Sequence, residues 1–257
     1  GVFLTGGSPK FLHKENDIRP LSTVHILPNP NELYFSKIRK VIDMAIQINK
    51  TRYFPLFAIC LGFESLLLHF SNFDLPFRMI NKNNVSDSIT IVPSHSKFFF
   101  FVISQSPIDH LEAEVQFNNG HGVTLKDFLE DKRLHSEFIV PVTYFTPFIE
   151  DTLVGAIEHR KLPIFGVQFH PEKVLYSQDL LWNPSYLPQS TQRAQLFQNY
   201  FNQMMKGIQR QRKQGFTVKL AASECVMIDF PGLERTWVIG KPDIIKKFAE
   251  WTNHNFI

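Results

Sequence analysis

Residues 55–68 read PLFAICLGFESLLL, an apolar run broken by one cysteine and one glycine. Phe54 to Ile59 is too short for a helix and apolar throughout, which predicts a strand covered on both faces in a parallel sheet. Gly62 to Phe70 reads as a helix. Cys60 therefore falls at the hinge, at a strand end just before a helix N-terminus. Ala58 and Gly62 flank it as the small neighbours a sharp turn needs, the spacing of a nucleophile elbow with cysteine in place of serine. A helix N-terminus and a nearby imidazolium both favour a thiolate, so the expected thiol pKa lies below the ordinary value of about 8.5. The competing reading of Cys60 is a small hydrophobe in the core.

The elements around this hinge repeat its logic. Val2 to Leu4 is a short apolar strand that Gly6-Gly7-Ser8 ends as a turn. A polar loop follows through Pro20. Asn29, Pro30 and Glu32 form a helix start, with Asn29 as N-cap, and Phe35, Ile38, Ile42, Ala45 and Ile46 mark one helical face through about Asn49. Strand, turn, helix, strand, sharp turn, helix is the pattern of an α/β layer fold. Right-handed crossovers would bring the glycine turn and the cysteine turn to one edge of the sheet. Phe98 to Phe101 suggests a buried strand or packed loop rather than a helix. Leu153–Glu158 and Ile164–Phe169 flank a turn at His159–Pro163 and predict a hairpin. Ser190 or Thr191 caps a helix with a stripe of Ala194, Phe197, Phe201 and Met204, ending near Gly207. The basic residues Arg210, Arg212, Lys213 and Lys219 read as a solvated tail.

The 257 residues, 44% of them apolar, suit one large domain or a domain with a tail. Cations number 27 against 24 acidic residues and are spread along the chain, which favours no nucleic-acid partner and is compatible with an anionic small substrate. No apolar run reaches the roughly 18 to 20 residues of a membrane span, so no membrane partner is expected, and no basic-then-apolar leader stands at the start of these 257 residues, from which location is not read. Two cysteines, Cys60 and Cys225, make no disulfide framework. Asn49 and Asn84 match the glycosylation acceptor pattern, as chance allows in an asparagine-rich chain.

An elbow cysteine needs a base. His13, His25, His69, His95, His110, His135 and His159 read as surface or loop residues. His170 differs: it follows a strand and sits in Phe169-His170-Pro171-Glu172-Lys173. In an extended chain residues i and i+2 share a face, and Pro171 discourages helix, so Glu172 can hold the tautomer of His170. The backbone N–H groups of the Gly6-Gly7 turn and of Leu61 can point at an oxyanion. For Gly-Gly alone an ordinary turn is the simpler account.

Taken together, Thr5-Gly6-Gly7-Ser8, Ala58-Ile59-Cys60-Leu61-Gly62-Phe63-Glu64 and Gly166-Val167-Gln168-Phe169-His170-Pro171-Glu172-Lys173 resemble the class I glutamine amidotransferase-like superfamily, and within it the γ-glutamyl hydrolases. The resemblance runs from Gly1 to about Gly207, giving a catalytic domain over 1–207 and an unassigned segment over 208–257. It implies an α/β fold of three layers, a mostly parallel central sheet with flanking helices, from which two N-terminal βα units are missing. Glu64 stands where amidotransferases carry Gln, and Lys173 is likewise hydrolase-like. Carried over by resemblance are Cys60 as nucleophile, His170 as base, Glu172 as its orienting carboxylate, and Gly7 and Leu61 as oxyanion donors in the Gly6-Gly7 setting.

The implied reaction is hydrolysis of folyl or antifolyl poly-γ-glutamates through a γ-glutamyl thioester, with no metal or cofactor. Expected partners are that substrate and a second copy of the chain; the implied compartment is lysosomal, vacuolar or extracellular. Three departures accompany the resemblance. Ala58 replaces the usual Gly. In Phe117-Asn118-Asn119-Gly120-His121-Gly122-Val123-Thr124, either His121 fills the place of a family histidine in a shifted register or Asn119 has replaced it. The chain also opens at the Gly-Gly strand, and its last fifty residues follow no family pattern. Competing functions are an amidotransferase domain that feeds ammonia to a synthase, and a binding protein that has kept the fold.

Overall fold

The computed structural model describes residues 1–7, 33–105, 112–176, 195–206, 225–228 and 236–239. The capping signals at Asn29, Pro30, Glu32, Ser190 and Thr191, the helix end at Gly207 and the basic run from Arg210 to Lys219 lie outside the described residues. The chain divides into two compact units, Gly1–Ile208 and Gln209–Ile257.

In the first unit the order is β1 (Val2–Leu4), α1 (Leu33–Asn49), β2 (Leu56–Ile59), α2 (Leu61–Phe70), β3 (Arg78–Ile91), α3 (Lys97–Gln105) and β4 (Glu112–Gly122). There follow α4 (Leu125–Glu130), α5 (Lys132–Glu137), β5 (Phe138–Thr146), β6 (Asp151–His159), β7 (Ile164–Val167) and α6 (Pro171–Tyr176), and residues 195–206 are helical. The second unit contains an antiparallel pair, β8 (Cys225–Ile228) with β9 (Thr236–Ile239).

Seven strands form one sheet in the order β1-β2-β7-β6-β5-β3-β4. The α/β layering matches the expectation, but the sheet is mixed rather than mostly parallel. β1, β2 and β7 run parallel, whereas every pairing from β7–β6 to β3–β4 is antiparallel. The short turn between β6 and β7 can only reverse the chain, since a parallel return needs a crossover of a dozen residues or more.

Strand alternation builds the layers. Leu56 and Ala58 of β2 join Phe35, Ile42, Phe63, Leu66 and Phe128 in one core, under α1, α2, α4 and α5. Phe57 and Ile59 face the opposite way and join Phe98, Val102, Phe197, Tyr200 and Met204 in the other. The α1 stripe is as read: Phe35, Ile42 and Ala45 are buried and Ile38 and Ile46 pack against them. Asn49 closes that helix with its side chain, donating to the carbonyls of Ala45 and Phe54 and accepting from the Phe54 N–H.

Two expectations fail here. Phe98 to Phe101 is helix, the first part of α3. Phe98 and Val102, four apart, are buried, and the Phe98 ring stacks on Phe197 at 4.9 Å. The N-terminus of α3 is satisfied by Ser96 Oγ, which accepts from the Phe99 N–H, and by Glu158 of β6, whose carboxylate accepts from the N–H groups of Lys97 and Phe98. His159 is not a surface residue but is 3% exposed at the end of β6. Its Nδ1 accepts from the N–H groups of Lys161 and Leu162, and its Nε2 lies 3.2 Å from Glu137.

Candidate active site

The register of the parallel strands gathers the site. Leu4 pairs with Ala58 and Ala58 with Gly166, so β1, β2 and β7 end side by side. Gly6, Cys60 and His170 leave the sheet at these three ends.

Cys60 has φ 51° and ψ −111°, a conformation a non-glycine residue adopts only under constraint. The constraint is visible. Its N–H donates to the Val167 carbonyl at 2.9 Å, and its own carbonyl accepts the Glu64 N–H at 2.9 Å, so strand pairing holds one side and the first helical turn the other. The turn also depends on Gly62, where a Cβ would meet the Leu4 carbonyl oxygen.

Cys60 is 5% exposed, and its sulfur lies 3.8 Å from the carbonyl oxygen of Asn118. The thiol pKa is raised, contrary to the expectation from the helix N-terminus alone. Burial is the main cause and the Glu64 carboxyl the next; the Leu61 N–H pulls the other way, with Glu172 raising and Lys173 lowering the balance. Helix-end stabilisation is real but smaller than the cost of an ion in so dry a setting. A thiolate here needs a proton acceptor in contact.

His170 stands across Gly6 from the sulfur. A methyl placed on Gly6 would stand 3.0 Å from Cε1 of His170 and 3.8 Å from Sγ of Cys60, so sulfur and imidazole converge on a single backbone carbon. Glycine leaves them that space. Nδ1 of His170 is 2.7 Å from Oε1 of Glu172, while the buried Nε2 has no hydrogen-bond partner among the described residues. The Glu172 carboxylate takes the Nδ1–H, leaving Nε2 as the basic atom.

The pairing arises by a different backbone than expected. β7 stops at Val167, and Pro171 opens α6 rather than discouraging it, with Glu172 in the first turn. Proline suits the first helical position because its missing N–H would have no partner there. The His170 N–H donates to the Gln116 carbonyl at 2.7 Å, fixing the histidine to β4.

The remaining candidates take varied places. Gly7 lies against Leu61, a Cβ there meeting the leucine side chain at 2.8 Å. Lys173 is close enough to favour the ionised sulfur. His121 of β4 pairs with Met79 of β3, and its carbonyl accepts from the Asn119 side chain at 2.8 Å; the part of this segment that reaches the sulfur is Asn118. Glu64 is 4% exposed, one turn beyond Cys60, and accepts from the Gln168 amide at 3.1 Å. Burial pushes this carboxyl up to about 8, against the pull of that hydrogen bond.

Asn118, Gln168 and Tyr144 were not singled out from the sequence. Two of them fall inside quoted motifs, and that proximity was the available signal. Tyr144 had none: it reaches the site across β5, its phenol pushed up by burial and flanked by Asn119.

A model of the "Glutamine amidotransferase class-I" family matches residues 21–182. Among curated proteins the chain is 26% identical over 179 residues to "Gamma-glutamyl hydrolase 2" of Arabidopsis thaliana, covering 67% of this chain and 50% of that protein. It is 28% identical over 173 residues to "Gamma-glutamyl hydrolase" of Homo sapiens, covering 65% and 53%. "Anthranilate synthase component 2" of Azospirillum brasilense is 40% identical over 73 residues, 25% of this chain and 37% of that protein. The chain thus spans about half the length of the γ-glutamyl hydrolases it matches. The family match takes in the strained Cys60 turn and the His170–Glu172 pair within more than half of the chain, and the chain belongs to the class I glutamine amidotransferase family.

Proposed function

We propose that the protein is a cysteine-dependent hydrolase that cleaves the γ-glutamyl bonds of folyl and antifolyl poly-γ-glutamates. The observation that carries this reading is the convergence of Cys60 and His170 on Gly6, with Glu172 behind the imidazole. Similarity to γ-glutamyl hydrolases supports the bond type, as does Glu64 in place of glutamine.

In this reading Nε2 of His170 takes the Cys60 thiol proton as sulfur attacks the γ-carbonyl carbon. Glu172 stabilises the imidazolium that forms. The oxyanion lies at the N–H groups of Leu61 and Gly7. Collapse breaks the C–N bond, and His170 returns the proton to the leaving α-amine, giving a γ-glutamyl thioester. Water then gives its proton to His170 and adds to the thioester; the thiolate leaves and is reprotonated. The products are two carboxylate-bearing fragments. Lys173 is the nearest cation in sequence for such a substrate.

Product analysis with a folate pentaglutamate tests this directly. Cleavage at γ-linkages that is lost in Cys60→Ser and His170→Ala is expected. Glutamine hydrolysis without action on the γ-linked chain would instead support the ammonia-supplying reading that the anthranilate synthase component brings forward. Neither activity from folded protein would leave the binding-protein reading.

A further inference from the structure

Glu64 and Gln168 belong to different parts of the machinery. Glu64 lies on α2, the helix that begins at Cys60, while Gln168 lies two residues before His170 in the turn between β7 and α6. They are 104 positions apart in sequence, yet Nε2 of Gln168 donates to Oε1 of Glu64 at 3.1 Å, with the two residues 0% and 4% exposed. The other end of the amide poses a problem. Oε1 of Gln168 is buried and has no hydrogen-bond partner among the described residues. A buried amide oxygen without a donor is costly. A carboxylate has no donor to offer; a carboxylic acid has one.

We propose that Glu64 is a neutral, proton-bearing carboxyl that closes a two-way pair with the Gln168 amide, a positioning pair that ties the cysteine helix to the histidine turn and keeps negative charge from the sulfur. The acid O–H donates to Oε1 of Gln168 while the Gln168 N–H donates to Glu64. One observation thereby accounts for the orphaned oxygen and for a buried acid with no cation on it among the described residues. Glu64 deepens the reading above, resting on it only for Cys60 as nucleophile. The charge matters because an ionised Glu64 would raise the cost of the Cys60 thiolate.

The other titratable groups around the pair among the described residues can be named. Cys60 is at the start of the same helix, and Tyr144 of β5 feels both Glu64 and Cys60. Behind Tyr144 stand Lys82 and Asp87 of β3, paired with each other, the Lys82 ammonium lying 5.5 Å from the Tyr144 ring centre. His170 follows Gln168, and Glu172 and Lys173 of α6 act on the sulfur. None of these supplies a cation in contact with Glu64 that would hold it ionised at neutral pH.

The test is the rate of Cys60 alkylation by iodoacetamide against pH in the whole chain, from about pH 6 to 10, a range that brackets the Glu64 carboxyl. In the parent the rate should climb and then bend to a shallower rise as Glu64 ionises near pH 8. In Glu64→Gln, whose amide can pair with Gln168 both ways but cannot ionise, the bend should vanish. Above it this variant should react about tenfold faster than the parent, the effect of one pKa unit of like-charge interaction. Superimposable profiles would overturn the proposal.

Gln168→Leu provides a second arm. Loss of the amide removes both bonds of the pair and should move the bend in pH, whereas an unmoved bend with a uniform drop in rate would count against the pair. Infrared difference spectra of parent minus Glu64→Gln at neutral pH should contain a protonated-carboxyl carbonyl band, and its absence overturns the neutral acid whatever the variants' rates. Alkylation needs no glutamyl substrate. If the folate polyglutamate assay fails while the bend behaves as stated, the substrate reading falls alone.

Discussion

No atom fits between Gly62 and Leu4: a Cβ on Gly62 would meet the Leu4 carbonyl oxygen at 2.5 Å and the Leu4 Cβ at 2.7 Å. The first turn of α2 thus rests directly on the β1 backbone, and that contact sets where the Leu61 N–H and Cys60 stand. Backbone cannot step aside as a side chain end can. Gly62→Ala is expected to cost about 3 kcal/mol, the upper range for overpacking. Urea unfolding of the variant checks it, and a loss under about 1 kcal/mol would show that β1 yields.

The strain at Cys60 makes an inverted comparison available. At ordinary positions alanine is more stabilising than glycine, because glycine loses more backbone freedom on folding. At φ 51° and ψ −111° the order should reverse. Cys60→Gly is expected to be more stable than Cys60→Ala by about 1 kcal/mol, both lacking sulfur and both inactive. Equal or opposite stabilities in denaturant unfolding would mean that the turn is not strained.

Glu172 holds His170 but is 42% exposed at its side chain, so water screens part of its field. Glu172→Gln keeps the size and loses the charge. A fall in kcat of about 10²-fold is expected, smaller than the loss of about 10⁴-fold seen when a fully buried triad carboxylate is neutralised. KM should change little. A kcat within threefold of the parent, on the scale of general-base effects of about 10² or more, would remove Glu172 from the catalytic set.

Acid sensitivity should reside in part at His159. Its Nδ1 accepts two backbone N–H groups and its ring is buried, so protonation breaks bonds that hold the β6–β7 turn. Burial lowers its pKa, with Glu137 opposing. The native state therefore binds fewer protons than the unfolded one around the model value of 6.5, so stability is present above that pH and is lost as pH falls through the lower folded value. His159→Asn, whose Oδ1 can take the place of Nδ1, should flatten the loss of stability between neutral and mildly acid pH. An unchanged pH profile of the unfolding free energy would place the acid response elsewhere.

Glu64 acts at the other end of the scale. Its folded pKa is raised to about 8 from 4.5, so its contribution is complete below 4.5 and is lost as pH rises through about 8. The slope this adds is at most about 1.4 kcal/mol per pH unit. Unfolding midpoints of the parent should fall between about pH 5 and 8 more steeply than those of Glu64→Gln; parallel curves would contradict a buried neutral acid.

Much of the site was legible because its parts lie at punctuation points. A short apolar run, a cysteine, a glycine and a helical pattern in succession leave few ways to place Cys60, and Phe-His-Pro-Glu behind another apolar run marks His170 and Glu172 in the same manner. The hairpin of β6 and β7 was readable from two strand patterns and five intervening residues. The helix at Phe98 was not, since four phenylalanines in a row have no period and its start is satisfied from 60 positions away by Glu158. His159 looked like a turn residue until Glu137 and two backbone N–H groups were brought around it.

The sequence by itself determined which chemical groups occupy strand ends, because alternation, glycine and proline act within a few residues of where they stand. Tertiary structure decided what those groups are worth. Sheet registry put Cys60 and His170 on either side of Gly6, burial reversed the expected direction of the thiol pKa, and a contact spanning 104 positions joined Glu64 to Gln168. Dielectric environment and long-range pairing depend on every layer packed around a residue, and no local stretch of chain carries that information.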